Sequence, residues 1–221
     1  MDWKGQTLMD KLLTLEQLHR NYLVGVVKGS TCDDAILKSE KMIEGGMKNI
    51  EITSNTPYAE LAIKALTQKF GKSIIIGAGS VQNVVTARVA IINGARYIAT
   101  SHLDVQIAHI CNVYQIPYMP RCVSKDEVTK AIQYEVPVIK LYPANILGVP
   151  FLENIREIFP NIHMIPYGGM SLENMEQWYK SGAYAIGIGN ALTKGTQKNH
   201  LDMIIHQTHA FVEKLNSVRL S

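Results

Sequence analysis

The sequence predicts a (β/α)₈ barrel with one extra helix in front, a single domain spanning residues 1–221. Three observations lead there. Strand-like and helix-like segments alternate along the whole chain, as βαβ units with a parallel sheet require. The strand segments are short and nearly all apolar, as strands covered on both faces should be. The chain has 221 residues, which suits eight such units in a compact barrel. An open doubly wound sheet is the alternative the same pattern allows. Two joins, NGARYIAT at 93–100 and SGAYAIGI at 181–188, resemble one another faintly.

Each element has its own signal. Residues 7–19 read as the front helix and YLVGVVK, 22–28, as the first strand. Thr31 can cap a helix over 32–44, whose apolar stripe is Ala35, Ile36, Met42 and Ile43; Gly45 and Gly46 end it. KNIEIT, 48–53, is the second strand. Thr56 before Pro57 predicts a helix start, and the helix runs to Phe70 with Tyr58, Leu61, Ala62, Ala65 and Leu66 on one side. SIIIGAG, 73–79, is the third strand. Ser80 is the expected cap for a helix over 81–93, and RYIAT, 96–100, follows as the fourth strand.

The second half keeps the rhythm. A helix over 103–114 precedes a strand at 117–120, and Ser124 with Glu127 forms a capping box for 125–133. PVIKLYP, 137–143, is the sixth strand. A helix over 150–159 leads to IHMIP, 162–166. Ser171 is the expected cap of a helix reaching Tyr179, Gly182 stops it, and YAIGIG, 184–189, is the eighth strand. A closing helix covers 199–216.

Composition narrows the class. Apolar residues make up 47% and charged residues 19%, with a formal net charge of +3. That is ordinary globular usage, without the basic stripe of a nucleic-acid binder. The three cysteines, Cys32, Cys111 and Cys122, form no CxxC pair, so a reducing compartment is expected. No apolar run is long enough to span a membrane, and the first residues do not read as a signal peptide. The expectation is a cytoplasmic protein that binds neither membrane nor nucleic acid.

In a barrel the chemistry gathers where the strands end at their C-termini. Glu51 ends the second strand; Gly79 and Ser80 follow the third; Thr100 to His102 follow the fourth; Pro120 and Arg121 follow the fifth. Lys140 lies within the sixth strand. Gly168 and Gly169 follow the seventh, and Gly187, Gly189 and Asn190 the eighth. Lys140 interrupts the apolar run VPVIKLYP. A buried lysine is rare unless paired or functional, and desolvation turns an amine into a nucleophile. Glu51 has the same character in KNIEIT, where a carboxylate can shuttle protons. A salt bridge between the two, or a lysine reaching out to solvent, accounts for the same pattern. Both readings place Lys140 and Glu51 together. The loops GGMS at 168–171 and GIGN at 187–190 expose backbone N–H groups where barrels commonly hold phosphate, although tight turns alone also explain them. His206 and His209 on the closing helix lack the ligand spacing of a metal site.

The segment VIKLYPA, 138–144, resembles the VKxFPA signature of the class I 2-keto-3-deoxy-6-phosphogluconate and 4-hydroxy-2-oxoglutarate aldolases. GGMKNIEITSNTPYA resembles that family's GGxxxxEITxRTPxA, GAGSV its GAGTV, PYGGMS its PTGGIS, and GIGNAL its closing glycine motif. The match covers residues 20–192. It implies that Lys140 forms a Schiff base with a keto acid and that Glu51 is the general acid/base. It implies substrate contacts from Gly79, Ser80, Pro120 and position 55, and phosphate contacts from Gly168, Gly169, Gly189 and Asn190. No metal or cofactor is implied, and a homotrimer is. The resemblance implies cleavage of a 2-keto-3-deoxy-6-phospho sugar acid or of 4-hydroxy-2-oxoglutarate to pyruvate and an aldehyde, glyceraldehyde 3-phosphate or glyoxylate, and the anion loops favour a phosphorylated keto acid.

Departures from the pattern fall on the substrate grip. Asn55 stands where the family has a carboxylate-binding arginine, so a bidentate clamp is lost. Asn145 replaces a glutamate, Tyr167 a threonine and Asn190 a serine, and His102 and Arg121 occupy loops that are usually glycine-rich. Arg121 can supply the missing cation. Three alternatives remain at this level: an aldolase of the same mechanism acting on a different 2-keto-3-deoxy acid, a barrel isomerase or synthase with no covalent lysine, and a non-catalytic sugar-phosphate binder.

Overall fold

The computed structural model describes residues 6–193 and 201–220. Helix α1 (Leu8–Asn21) precedes strand β1 (Leu23–Val27), and strands and helices then alternate. The units are α2 (Cys32–Glu44), β2 (Asn49–Thr53), α3 (Ala59–Phe70), β3 (Ile75–Val81), α4 (Val84–Ile92), β4 (Ile98–Thr100), α5 (Val105–Val113) and β5 (Tyr118–Pro120). They continue with α6 (Lys125–Gln133), β6 (Val138–Leu141), α7 (Ala144–Ile158), β7 (His163–Pro166), α8 (Met175–Lys180), β8 (Ile186–Ile188), α9 (Asn190–Thr193) and α10 (Asp202–Leu220).

All strand pairs are parallel. Six strands run in the order β5-β4-β3-β2-β1-β8, and β6 pairs with β7. Single bridges, Arg121 to Lys140 and Tyr167 to Gly187, join the two sheets at both edges and close the barrel. The expected (β/α)₈ architecture with a helix in front is therefore the observed one, in a distorted form.

Two apolar clusters follow from the alternation of side chains along each strand. One packs strands against helices. The other fills the barrel interior and includes Val24, Ile75, Tyr97, Met119, Val138 and Ile165, with Leu18 of α1 fully buried among them. Helix α1 is thus tied to the barrel interior. Tyr184 reinforces the attachment, because its hydroxyl donates to the Leu15 carbonyl at 2.8 Å and its own carbonyl meets His19 Nδ1 at 2.8 Å.

Several local expectations need correction. Thr31 and Ser124 do cap α2 and α6, accepting from Asp34 N and Glu127 N. Thr56 does not cap α3. Its hydroxyl accepts from Gly29 N at 3.0 Å, and the helix begins at Ala59 after Tyr58 takes a left-handed conformation (φ 56°). The buried face of α3 is Ala59, Ala62, Ile63 and Leu66, while Tyr58 and Leu61 face solvent. Ser80 does not cap α4; Asn83 does, accepting from Thr86 N at 2.9 Å. Ser80 instead lies in an irregular stretch of β3, where the register against β4 shifts between Ala78 and Val81 and its φ is 53°. Ser171 only helps fold a turn with Asn174, and α8 starts at Met175.

Two helical pieces had no sequence signal: the opening turn of α7, broken from the rest at Gly148, and the short α9. The start expected for the closing helix, at 199, lies outside the described residues.

Candidate active site

A cavity of about 950 Å³ opens among the C-terminal strand ends. Glu51, Ser80, Arg121, Lys140, Gly168, Gly169, Gly189 and Asn190 all border it, together with Tyr167 and His102. The structure brings these positions together from seven different strand ends. Three other positions singled out in the sequence do not border it. Asn55 is exposed on the turn after β2, Pro120 is buried within β5, and Gly79 lies behind Glu51.

Lys140 and Glu51 form the centre. Strand β6 turns Lys140 inward, leaving its side chain 12% exposed, and β2 buries Glu51 almost entirely at 1%. Lys140 Nζ donates to Glu51 Oε1 at 2.6 Å. An ion pair this buried is costly to build, because both charges leave water. It is favoured here by further donors on the carboxylate. The Tyr167 hydroxyl donates to Glu51 Oε2 at 2.9 Å, and the Tyr97 hydroxyl approaches the same oxygen at 3.4 Å. Burial, followed by the charge of Glu51, pushes both phenols well above their ordinary pKa. Lys140 Nζ also sits 3.7 Å from the centroid of the Tyr167 ring, a cation–π contact in a desolvated setting.

The glycines nearest this centre make space for it. A Cβ on Gly79 would sit 2.6 Å from Cδ of Glu51, and one on Gly187 would sit 2.6 Å from Cγ of Tyr167. By sequence Gly187 belongs to the GIGN loop; in the fold it lets the Tyr167 ring enter the barrel. Gly168 and Gly169 do belong to an exposed loop at the rim, both at positive φ (89° and 74°).

Arg121 is a cation on the cavity rim. Its Nε donates to the Ser101 carbonyl at 2.7 Å and its Nη1 reaches the Tyr142 carbonyl at 3.4 Å. Among the described residues it meets no carboxylate. Its backbone bridge to Lys140 places the two side chains on neighbouring strand positions. Ser101 Oγ lies 3.3 Å from His102 Nδ1 beside it.

Sequence reasoning missed Tyr97 as part of the site and met Tyr167 only as a departure from the family's threonine, not as a partner of Glu51. A buried tyrosine in a strand reads as core. The available signal was the pairing of large with small residues: Gly77 stands opposite Tyr97, and Gly187 opposite Tyr167.

An inward lysine on the sixth strand, paired with a buried carboxylate on the second, defines a barrel of the Schiff-base lyase class. The family model for KDPG and KHG aldolases matches residues 15–207, and the chain belongs to that family. It is a carbon–carbon lyase of the class I aldolase type. A 2-dehydro-3-deoxy-6-phosphogalactonate aldolase of Escherichia coli (strain K12) is 25% identical over 192 residues, covering 86% of this chain and 93% of its own. The native KDPGal structure superposes with a TM-score of 0.83 at 24% identity, covering 90% of this chain and 96% of that one. A KDPG aldolase from Legionella pneumophila, holding pyruvate as a covalent carbinolamine intermediate, superposes with a TM-score of 0.78 at 24% identity over 94% of this chain and 98% of its own. No helix among the described residues is long and apolar enough to cross a membrane.

Proposed function

We propose that this enzyme cleaves a 2-keto-3-deoxy-6-phospho sugar acid to pyruvate and an aldehyde, glyceraldehyde 3-phosphate if the substrate has six carbons. The observation that carries the reading is the 2.6 Å contact between Lys140 Nζ and Glu51 Oε1 at the floor of an open cavity. It supplies a nucleophile and a proton acceptor already in contact.

Lys140 passes a proton to Glu51 and, as the free amine, attacks the C2 carbonyl. The carbinolamine takes a proton from Glu51 and loses water, leaving an iminium. Glu51, directly or through a water, next removes the proton of the C4 hydroxyl. The C3–C4 bond breaks, its electrons pass into the iminium, and the aldehyde departs. The resulting enamine takes a proton at C3, and water hydrolyses the new iminium to release pyruvate and the lysine. Every step uses Lys140, Glu51 and water, with no metal or cofactor.

The substrate's two ends meet different groups. Arg121 engages the C1 carboxylate in place of the arginine missing at position 55. Its position beside Lys140, and the lack of any carboxylate partner among the described residues, support that assignment. Ser80, held in an unusual left-handed conformation at the cavity wall, hydrogen-bonds the pyruvyl portion. The loops carrying Gly168, Gly169, Gly189 and Asn190 take the phosphate through backbone N–H groups and the Asn190 amide. The names of the relatives from E. coli and Treponema pallidum, which act on phosphorylated six-carbon keto acids, support the same substrate class.

Two measurements test the reading. Pyruvate with borohydride should leave a reduced adduct on Lys140, found by peptide mass spectrometry; a folded protein with unmodified Lys140 refutes the mechanism. Retro-aldol kcat/KM should be higher for the phosphorylated six-carbon keto acid than for its unphosphorylated analogue or for 4-hydroxy-2-oxoglutarate. Equal values for the phosphorylated compound and its analogue refute the phosphate assignment and leave the glycines as turns.

A further inference from the structure

We propose that Tyr167 is a positioning residue for the proton transfers of Glu51, acting through its hydroxyl on the carboxylate oxygen that Lys140 does not touch, with Tyr97 as a second and longer donor. The proposal rests on the aldolase reading above and assigns a role to residues that the resemblance does not cover, since position 167 is a departure from the family's motif.

The geometry divides the two carboxylate oxygens. Oε1 accepts from Lys140 at 2.6 Å, whereas Oε2 accepts from Tyr167 at 2.9 Å and lies 3.4 Å from the Tyr97 hydroxyl. Both phenols are buried and stay protonated through the working pH range, so they remain donors throughout the cycle. Proton exchange is thereby confined to Oε1, the oxygen beside the nucleophile. The carboxylate is also fixed in rotation, because turning it would exchange two donors at once.

Tyr22 offers a contrast. It is buried to a similar degree, and its hydroxyl has no partner among the described residues. The Tyr167 hydroxyl is directed at the catalytic carboxylate. Its ring borders the cavity and lies under Lys140 Nζ. That ring face favours a cation on the nitrogen and so serves the iminium as well as the ammonium. The groups facing Glu51 are Lys140 from β6, Tyr97 just before β4 and Tyr167 just after β7; Gly79, from β3, brings no titratable group.

The test is Tyr167→Phe, which keeps the ring and removes the donor. Removing a hydrogen bond to the ionised form makes protonation of that carboxylate easier. Activity that needs the ionised base then fails at a higher pH. The acid limb of the kcat profile should move up by about one pH unit, and kcat per borohydride-titrated site should fall about tenfold, with KM little changed. Tyr97→Phe should move the limb in the same direction by less. Pyruvate should still be trapped on Lys140 in both variants. A Tyr167→Phe enzyme with the parent's limb and kcat overturns the proposal. So does one that loses thermal stability while each trapped site turns over normally at an unmoved limb. If Tyr167→Phe does not fold, Tyr97→Phe decides: an unmoved limb overturns the proposal and an upward shift supports it. Absence of trapping in the parent overturns the aldolase reading and this proposal with it, whereas trapping with unmoved limbs overturns this proposal alone.

Discussion

Replacing Gly79 with alanine tests whether the catalytic carboxylate is held by packing. The added Cβ would lie 2.2 Å from Oε1, 2.6 Å from Cδ and 2.7 Å from Cγ of Glu51, where ordinary contact begins at 3.4 Å. The shortfall is about 1.2 Å at Oε1, on a side chain already held by Lys140, Tyr167 and Tyr97. Either β3 gives way or Glu51 does. Overpacking a buried position of this kind costs about 1–3 kcal/mol of stability. The kinetic effect should be larger. Moving the carboxylate by this amount breaks the 2.6 Å contact with Lys140 and disturbs the Tyr167 bond. A misplacement near 1 Å costs about 100-fold in rate. Thermal denaturation gives the first quantity. The second comes from kcat normalised to the fraction of Lys140 that pyruvate and borohydride label. A Gly79→Ala enzyme that retains kcat within twofold refutes the argument and means that β3 absorbs the methyl group without moving Glu51.

Other substitutions separate the remaining roles. Lys140→Arg keeps a cation beside Glu51 but cannot form a Schiff base, so retro-aldol activity should fall by at least about 10⁴-fold; residual activity within tenfold of the parent would favour a non-covalent mechanism. Arg121→Gln should raise KM for keto acids by about tenfold or more while changing kcat less, as loss of a charge-assisted hydrogen bond predicts. Asn55→Ala, on an exposed position away from the cavity, should leave both constants within twofold. If the two results are exchanged, the carboxylate is held at position 55.

The sequence revealed the centre of the site because two charges stood in apolar strands. Lys140 in VIKL and Glu51 in NIEIT admit few explanations, and strand-end geometry then brings them together. The helix starts were harder, because hydrogen bonds distant in sequence decided them. Thr56 carries a good capping signal, yet its hydroxyl is used by Gly29 on the neighbouring strand end. Ser80 and Asn83 are both cap residues by chemistry, and the irregular register of β3 selects the second. The tyrosines were illegible for a different reason. Nothing in a one-dimensional pattern separates a phenol aimed at a carboxylate from one that only fills volume, until the glycine opposite it is known.

The barrel wall is made of two pieces, and the reacting pair is split between them. Glu51 lies on the six-stranded sheet and Tyr97 just before its strand β4, while Lys140 lies on the two-stranded β6–β7 plate, with Tyr167 just beyond it. Each edge of the plate carries one bridge pair, with a further hydrogen bond from Tyr184 N to the Met164 carbonyl on the β8 side, and each bridge includes a residue of this cluster: Lys140 with Arg121, and Tyr167 with Gly187. No continuous ladder sets the distance between nucleophile and base. That distance depends on how the plate seats against the larger sheet, so a small tilt about these two seams would change the Lys140–Glu51 spacing while leaving the ladders on either side intact. The same seams place Arg121 at the edge of the plate, which couples the grip on the substrate to the spacing of the groups that react with it.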